Sequence, residues 1–156
     1  MKKKRKLTKF QLIILGLFLL SFLIINLLQL RWPEAVIELK GEELEVLVAK
    51  TPYHLYKGLG GRESLGDKDA MLFLFRGEEK PIIVMRDMKF SIDIVWIKGN
   101  TIVDIAPNVP VEPNVSEGAL KKYAPRTEAN IVLEIPAGWV DENNLNIGDN
   151  IKVISE

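Results

Sequence analysis

Two patterns of hydrophobic residues divide the chain. The first is a continuous apolar run at residues 10–30 that contains no charged side chain. An α-helix of that length covers about 30 Å, which is the thickness of the hydrocarbon core of a bilayer. After Pro33 the chain alternates between apolar and polar residues, as half-buried strands do. The pattern therefore predicts one transmembrane helix followed by a β-rich domain.

Strands are predicted wherever apolar residues alternate or cluster after Pro33. The segment 43–50 places Leu44, Val46 and Val48 on one face, which is the pattern of a half-buried strand. Two further strands flank a two-residue turn at 99–100, and this spacing is typical of a β-hairpin. The remaining predicted strands and the two of the hairpin lie at residues 71–75, 81–85, 91–98, 101–106, 130–135 and 150–155.

One short helix and several turns complete the predicted domain. Thr51 and Pro52 fit the N-cap and the first helical position, and Gly58 fits the end of the helix. The irregular segments are a polar turn at 76–80, a loop at 107–125 with a helical turn near 117–122, and a turn at 136–139. The predicted fold class is mainly β: a small barrel or sandwich of about seven or eight short strands with one short helix.

The charges are distributed unevenly, although the formal net charge is zero. Residues 1–32 carry seven basic residues and no acidic one, so the rest of the chain has 14 basic and 21 acidic residues. By the positive-inside rule, the basic tail at 1–9 is cytoplasmic and the domain at 36–156 lies outside, after a linker at 31–35. An acidic domain repels nucleic-acid phosphates, so we expect no nucleic-acid partner.

The apolar run has a second interpretation, a cleaved signal peptide. The apolar core of a signal peptide usually spans about 7–15 residues and precedes small residues at the cleavage site. The run here is longer, and residues 26–35 (NLLQLRWPEA) contain no convincing small-x-small site. We therefore expect a single-pass protein of the cell membrane, with the lipid bilayer as its partner through residues 10–30.

The glycine-rich segment 58–62 (GLGGR) raises the question of nucleotide binding. Phosphate-binding loops need GxxxxGK[ST] or GxGxxG between a strand and a following helix. Neither spacing occurs here, and the glycines follow a predicted helix, so we interpret them as a helix end and a sharp turn. The chain contains no cysteine, which excludes disulfides and thiolate metal sites. We expect no cofactor and no metal.

Two carboxylates in apolar strands are the candidate chemical groups. Asp93 and Glu134 each lie between two aliphatic residues. Because an unpaired buried charge is costly, we expect Arg62 or Arg86 to pair with Asp93. A structural ion pair, an exposed strand face and a polar ligand pocket all fit this pattern. A glycosidase pair formed by Asp93 and Glu134 is a further alternative.

Five segments occur in a familiar order: GLGGR (58–62), AMLFLF (70–75), IVMRDMKFSIDIVWIKGNTIVDI (83–105), IVLEIPAG (131–138) and IGD (147–149). In this order they resemble the motifs of the family called domain of unknown function 192, or uncharacterised protein family 0127. The resemblance covers residues 43–153. It implies a compact β-rich domain, often exported or membrane-tethered, with no established reaction. The matching positions are Gly58, Leu59, Arg62, Met71, Leu72, Phe73, Phe75, Met85, Asp93, Glu134, Gly138, Gly148 and Asp149.

The chain departs from the family pattern at the centre of its most distinctive motif. Gly60 replaces a methionine, Val84 stands where tryptophan is usual, and residues 86–88 (RDM) replace Lys-Asn-Thr. Ala70 and Ser91 replace a glycine and a proline. If that centre binds a ligand, we expect this member to bind it differently or not at all.

Together these features favour a binding or accessory module at the cell envelope, whose partner is a small ligand or an envelope protein. The candidate ligand-binding residues are Arg62, Met85, Arg86, Asp93 and Glu134. The alternative is a cell-envelope hydrolase that uses Asp93 or Glu134 as acid–base. This alternative predicts that both carboxylates converge in one cleft. A purely structural role predicts a flat surface without a cleft.

Overall fold

The computed structural model describes residues 8–29 and 31–155, without the side chains of residues 26–29 and 78. The chain divides into two compact units, Met1–Trp32 and Pro33–Glu156.

The described part of the first unit is one helix, α1 (Lys9–Gln29), of 21 residues. Large apolar side chains such as Phe10 and Phe18 are exposed along it. Residues 1–7 of the predicted basic tail and residue 30 of the predicted span lie outside the described residues. No helix within residues 8–29 and 31–155 is both long and apolar enough to cross a membrane. The transmembrane helix stays a prediction.

The second unit is built on one seven-stranded sheet, which confirms the mainly β class. Every neighbouring pair of strands is antiparallel except β2 and β3, which are parallel. The order across the sheet is β5-β4-β6-β3-β2-β1-β7. The strands are β1 (Glu34–Leu39), β2 (Glu42–Ala49), β3 (Ala70–Glu79), β4 (Ile92–Lys98), β5 (Thr101–Val109), β6 (Ala129–Pro136) and β7 (Ile151–Ser155).

The sheet curls into a half-barrel because the starts of its two edge strands meet. Thr101 and Asn150 form an isolated bridge. Next to it, Ile102 N donates to Asp149 O (2.8 Å) and Ile151 N donates to Asn100 O (2.9 Å). At the N-terminal end of the domain, β1 begins at Glu34, within the residues 31–35 expected to form the linker.

Two short helices join the strands. The predicted helix is confirmed as α2 (Pro52–Lys57): the hydroxyl of Thr51 accepts a hydrogen bond from His54 N (3.2 Å), and the helix ends at Gly58 with φ of 47°. The second helix, α3 (Trp139–Glu142), follows β6 where the sequence pattern predicted only a turn. A single 3-10 turn at Glu117–Ala119 matches the helical turn expected in the long loop.

Both faces of the sheet are buried. One face carries the main apolar cluster, in which Val95 and Leu133 of the sheet join Val140 of α3. The other face is covered by residues 58–61 and 81–88. A Cβ added at Gly58 would lie 3.3 Å from the ring of Phe73, and Trp96 Nε1 donates to Pro81 O (3.0 Å).

The structure differs from the prediction in three segments: a turn, a strand and the start of a loop. Residues 76–80 do not form a turn, because β3 runs on to Glu79 through a shift in its register with β6. Residues 81–85 contribute only an isolated bridge between Ile83 and Tyr123 instead of a strand. The expected loop at 107–125 begins later, because β5 continues to Val109. An edge strand tolerates Pro107, which has no N–H to donate to a neighbour.

Candidate functional site

Asp93 and Glu134 lie on neighbouring strands but on opposite faces of the sheet. β4 and β6 pair with Asp93 opposite Ile135 and with Ile94 opposite Glu134. Paired residues share a face, and successive residues of a strand alternate between faces. The two carboxylates therefore do not converge in one cleft, which excludes the predicted two-carboxylate hydrolase.

Asp93 is fully buried, and its carboxylate accepts hydrogen bonds from two main-chain amides. Asn108 N donates to Oδ1 (2.7 Å) and Val140 N donates to Oδ2 (2.9 Å). Asn108 has φ of 54° beside a register shift of β5, and Val140 lies in the first turn of α3. Main-chain amides, rather than Arg62 or Arg86, satisfy this carboxylate, so the predicted ion pair is wrong and Asp93 is a structural residue.

Glu134 faces a cleft of about 290 Å³ on the other side of the sheet. The C-terminal end of α2, the 58–60 turn and the 82–88 segment form its walls. Leu59, Phe73 and Ile83 supply apolar parts of these walls. The titratable side chains that line the cleft are those of Tyr56, Lys57, Arg86 and Glu134.

The side chain of Glu134 is largely buried, and its carboxyl oxygens open onto the cleft. The residue is 5% exposed, and its neighbours across the sheet are the apolar Met71 and Ile94. No described residue forms a hydrogen bond or an ion pair with it. Burial raises the pKa of Glu134 from 4.5 to about 8, because desolvation disfavours the charged form. At neutral pH the cleft therefore contains mainly a protonated carboxylic acid, which can donate one hydrogen bond.

Arg86 is held at the cleft by three contacts. Its guanidinium forms two hydrogen bonds to the carboxylate of Glu117, one of them from Nε at 2.7 Å. Nη1 donates to Tyr56 O (2.9 Å), and Cζ lies 4.2 Å from the centre of the Tyr56 ring. The hydrogen bonds to Glu117 raise the pKa of Arg86. Arg86 is therefore a fixed cation at the cleft.

Two loops that form the cleft approach each other closely at Gly60. A Cβ at this position would lie 2.7 Å from Arg86 O and 3.2 Å from Lys57 O. The next residue, Gly61, donates its N–H to Asp87 O (2.8 Å). Only glycine permits this contact without displacement of the main chain.

The five predicted site residues do not form one group. Glu134 and Arg86 line the cleft, whereas Asp93 lies on the other face of the sheet. Met85 is only 1% exposed and, like the partly buried Arg62, is not among the residues lining the cleft. The sequence pattern does not predict that Lys57, Phe73 and Glu117 belong to the site, because no spacing along the chain indicates that they lie near Glu134 or Arg86.

A family model described as DUF192, uncharacterized ACR, matches residues 35–153 of the chain. The chain belongs to the DUF192 family. No curated protein sequence matches it.

Two solved structures show the same DUF192 fold. A proposed transcription regulator from Sinorhizobium meliloti is 24% identical, with a TM-score of 0.71 over 80% of this chain and 96% of its own. A protein of unknown function from Novosphingobium aromaticivorans is 21% identical, with a TM-score of 0.64 over 78% of this chain and 84% of its own. At these identities the likeness concerns the fold alone.

Four of the departures from the DUF192 pattern line the cleft. Gly60, Val84, Arg86 and Met88 all line it, and these are positions where the family motif has methionine, tryptophan, lysine and threonine. Val84 is much smaller than tryptophan, whereas Gly60 leaves no room for a side chain, since a Cβ there would lie 2.7 Å from Arg86 O. The cleft of this chain therefore differs in shape from the one that the motif implies.

Proposed function

We propose that this DUF192 protein is a membrane-anchored, extracytoplasmic binding module whose ligand site is the cleft above Glu134. The observation that carries the proposal is the carboxyl of Glu134, which is 5% exposed and has no partner among the described residues. This carboxyl adjoins the cleft, whose volume is about 290 Å³.

The cost of such a group supports a binding role. A fully enclosed polar group without a hydrogen bond costs about 1–3 kcal/mol, and Glu134, which opens onto the cleft, bears part of this cost. An apolar residue at position 134 would avoid this cost, since Met71 and Ile94 beside it are apolar. A ligand that hydrogen-bonds Glu134 recovers the lost interaction. A concave site that combines apolar walls with a few fixed polar groups is also the usual form of small-molecule sites.

The sequence of the N-terminal unit supports the membrane anchor. Residues 10–30 carry no charged side chain, and the residues before them are strongly basic. A helix with exposed apolar side chains all round is suited to lipid. The basic tail favours a cytoplasmic N-terminus, which puts the DUF192 domain on the outer side.

The binding site is tested by filling the cleft. Val84→Trp introduces the family's usual side chain into the wall, and Ile147→Trp is a matched control at an exposed position that does not line the cleft. A library of small fragments is screened by NMR against the full-length chain in nanodiscs. We expect fragments that shift the Ile83 methyl signals to lose binding in Val84→Trp and keep it in Ile147→Trp. If no fragment perturbs the cleft, the site assignment fails.

The anchor is tested by fractionation and a reporter fused after Glu156. We expect the chain in the membrane fraction, with a reporter that is active only outside the cytoplasm. Leu20→Arg places a charge in the middle of the helix, at a cost of about 2.5–3.5 kcal/mol for insertion, and is expected to release the chain. A cytoplasmic reporter signal, or a freely soluble full-length chain, would contradict the anchor.

A further inference from the structure

The charges that line the cleft are positive. Lys57 and Arg86 are basic residues, Tyr56 is a phenol, and the walls of β3 and β4 next to Glu134 are apolar. Glu117 reaches the site only through its ion pair with Arg86 and does not line the cleft. A ligand therefore meets two cations at the wall and one carboxyl group in an apolar environment.

We infer that the cleft binds a small apolar carboxylate, whose carboxylate group accepts a hydrogen bond from the carboxylic acid of Glu134 while its hydrocarbon part contacts Phe73 and Ile83. This inference rests on the proposed function, since it names the ligand class of the same cleft. No covalent step is involved. The proton stays on Glu134 and is shared in an O–H···O⁻ hydrogen bond, which is stronger than a neutral one.

The competing ligand class, an amine, fits the same cleft less well. An ammonium group needs an ionised Glu134, and burial among apolar residues disfavours that form. It also has to approach Lys57 and Arg86, whose like charges repel it. A carboxylate is attracted by Lys57 and by Arg86, although Glu117 balances part of the charge of Arg86, and it requires no change in the protonation of Glu134.

The two ligand classes have opposite pH dependence. Carboxylate binding needs the protonated form of Glu134, whose pKa is raised to about 8. The affinity for a carboxylate therefore falls as the pH rises, by roughly tenfold between pH 6 and pH 9. Amine binding would strengthen over the same interval.

The experiment uses the full-length chain in nanodiscs, with empty nanodiscs as the blank for partitioning. Butyrate, butylamine and butanol are titrated at pH 6 and pH 9, and the methyl shift of Ile83 is compared with that of Ile37, which lies in the other core cluster. We expect butyrate to bind most tightly at pH 6 and to shift Ile83 alone. Glu134→Gln keeps a hydrogen-bond donor at every pH, so its butyrate affinity should not depend on pH.

The outcomes separate the ligand class from the site. Butylamine binding that exceeds butyrate binding, or butanol binding equal to it, would overturn the carboxylate inference and leave the binding site in place. Unchanged pH dependence in Glu134→Gln would also overturn it. Glu134→Leu, which removes the donor but retains an apolar side chain, should lose butyrate by more than tenfold. If none of the three probes shifts Ile83 while other fragments do, the inference fails but the site stands.

Discussion

Asp93 and Glu134 are buried carboxylates on adjacent strands, and they differ in almost every other respect. Asp93 accepts two main-chain hydrogen bonds and links β4 to β5 and α3. Glu134 accepts none, although it is almost equally buried. It faces the cleft, whereas Asp93 faces the main apolar cluster. Burial alone therefore does not tell a structural acid from a candidate binding group; its hydrogen-bond partners do.

The difference follows from what each face of the sheet packs against. The side of Asp93 meets a β-bulge and the first turn of a helix, both of which have amides that need an acceptor. The side of Glu134 is covered by loops whose polar groups bond to each other, such as Gly61 N to Asp87 O. Those loops donate no hydrogen bond to the carboxyl of Glu134, which faces the cleft instead.

The largest effect is expected from the loss of Asp93. Asp93→Ala leaves the amides of Asn108 and Val140 without their acceptor, so we expect the free energy of unfolding to fall by about 2–5 kcal/mol. The free energy is measured by urea unfolding of the full-length chain in nanodiscs, monitored by tryptophan fluorescence. Asp93→Asn, which can accept only one of the two bonds, should lie between wild type and alanine. A wild-type midpoint in both variants would show that the two bonds are unimportant.

Replacement of Glu134 should raise the free energy of unfolding, in contrast to replacement of Asp93, and only at higher pH. Its folded-state pKa of about 8 is above its ordinary value of 4.5, so the folded state binds more protons between these values and stability falls as the pH rises through them. We expect wild type to lose on the order of 3 kcal/mol relative to Glu134→Gln between pH 5 and pH 8. Parallel stability–pH curves for the two proteins would contradict the raised pKa.

A smaller effect is expected where the two loops of the cleft meet. Gly60→Ala places a methyl group 2.7 Å from Arg86 O, and such overpacking usually costs about 1–3 kcal/mol. Gly118→Ala is the matched control, because its Cβ meets nothing within 4 Å. We expect only the first variant to lower the melting temperature and to shift the Ile83 methyl signal. Equal melting temperatures would show that the 58–61 loop can move away without cost.

The smallest effect is expected from Asp104, a third buried carboxylate, because its partner Arg126 is largely exposed. Asp104 accepts hydrogen bonds from the side chain and the N–H of Arg126, and the side-chain bond lowers the pKa of Asp104. Its contribution is therefore present above the ordinary pKa of aspartate and lost in more acidic solution. Asp104→Asn should reduce stability slightly at pH 7 and not at pH 3. A larger loss of stability in Asp104→Asn at pH 3 than at pH 7 would contradict the lowered pKa of Asp104.

Local features of the fold could be predicted from the sequence. The hairpin of β4 and β5 follows from two alternating segments around a two-residue turn. The helix α2 follows from Thr51, Pro52 and Gly58, which act on their immediate neighbours. These signals are short-range, so a pattern of a few residues is enough to read them.

The site could be predicted only in part, because it depends on register and on distant contacts. Asp93 and Glu134 each lie between two aliphatic residues in sequence, and only the pairing of β4 with β6 puts them on opposite faces. The contact of Arg86 with Glu117 joins residues 31 positions apart. The 81–85 segment is apolar like a strand, yet it covers the sheet because Trp96 bonds to Pro81.

The most direct test of the account is a titration of Glu134. The side-chain carboxyl carbon is followed by ¹³C NMR in the full-length protein, and Glu134→Gln identifies its signal. The account predicts a midpoint at pH of about 8, which rises further when butyrate is bound. A midpoint near 4.5, or one that falls on addition of butyrate, would contradict the claim that Glu134 is an unpaired acid poised to donate a hydrogen bond.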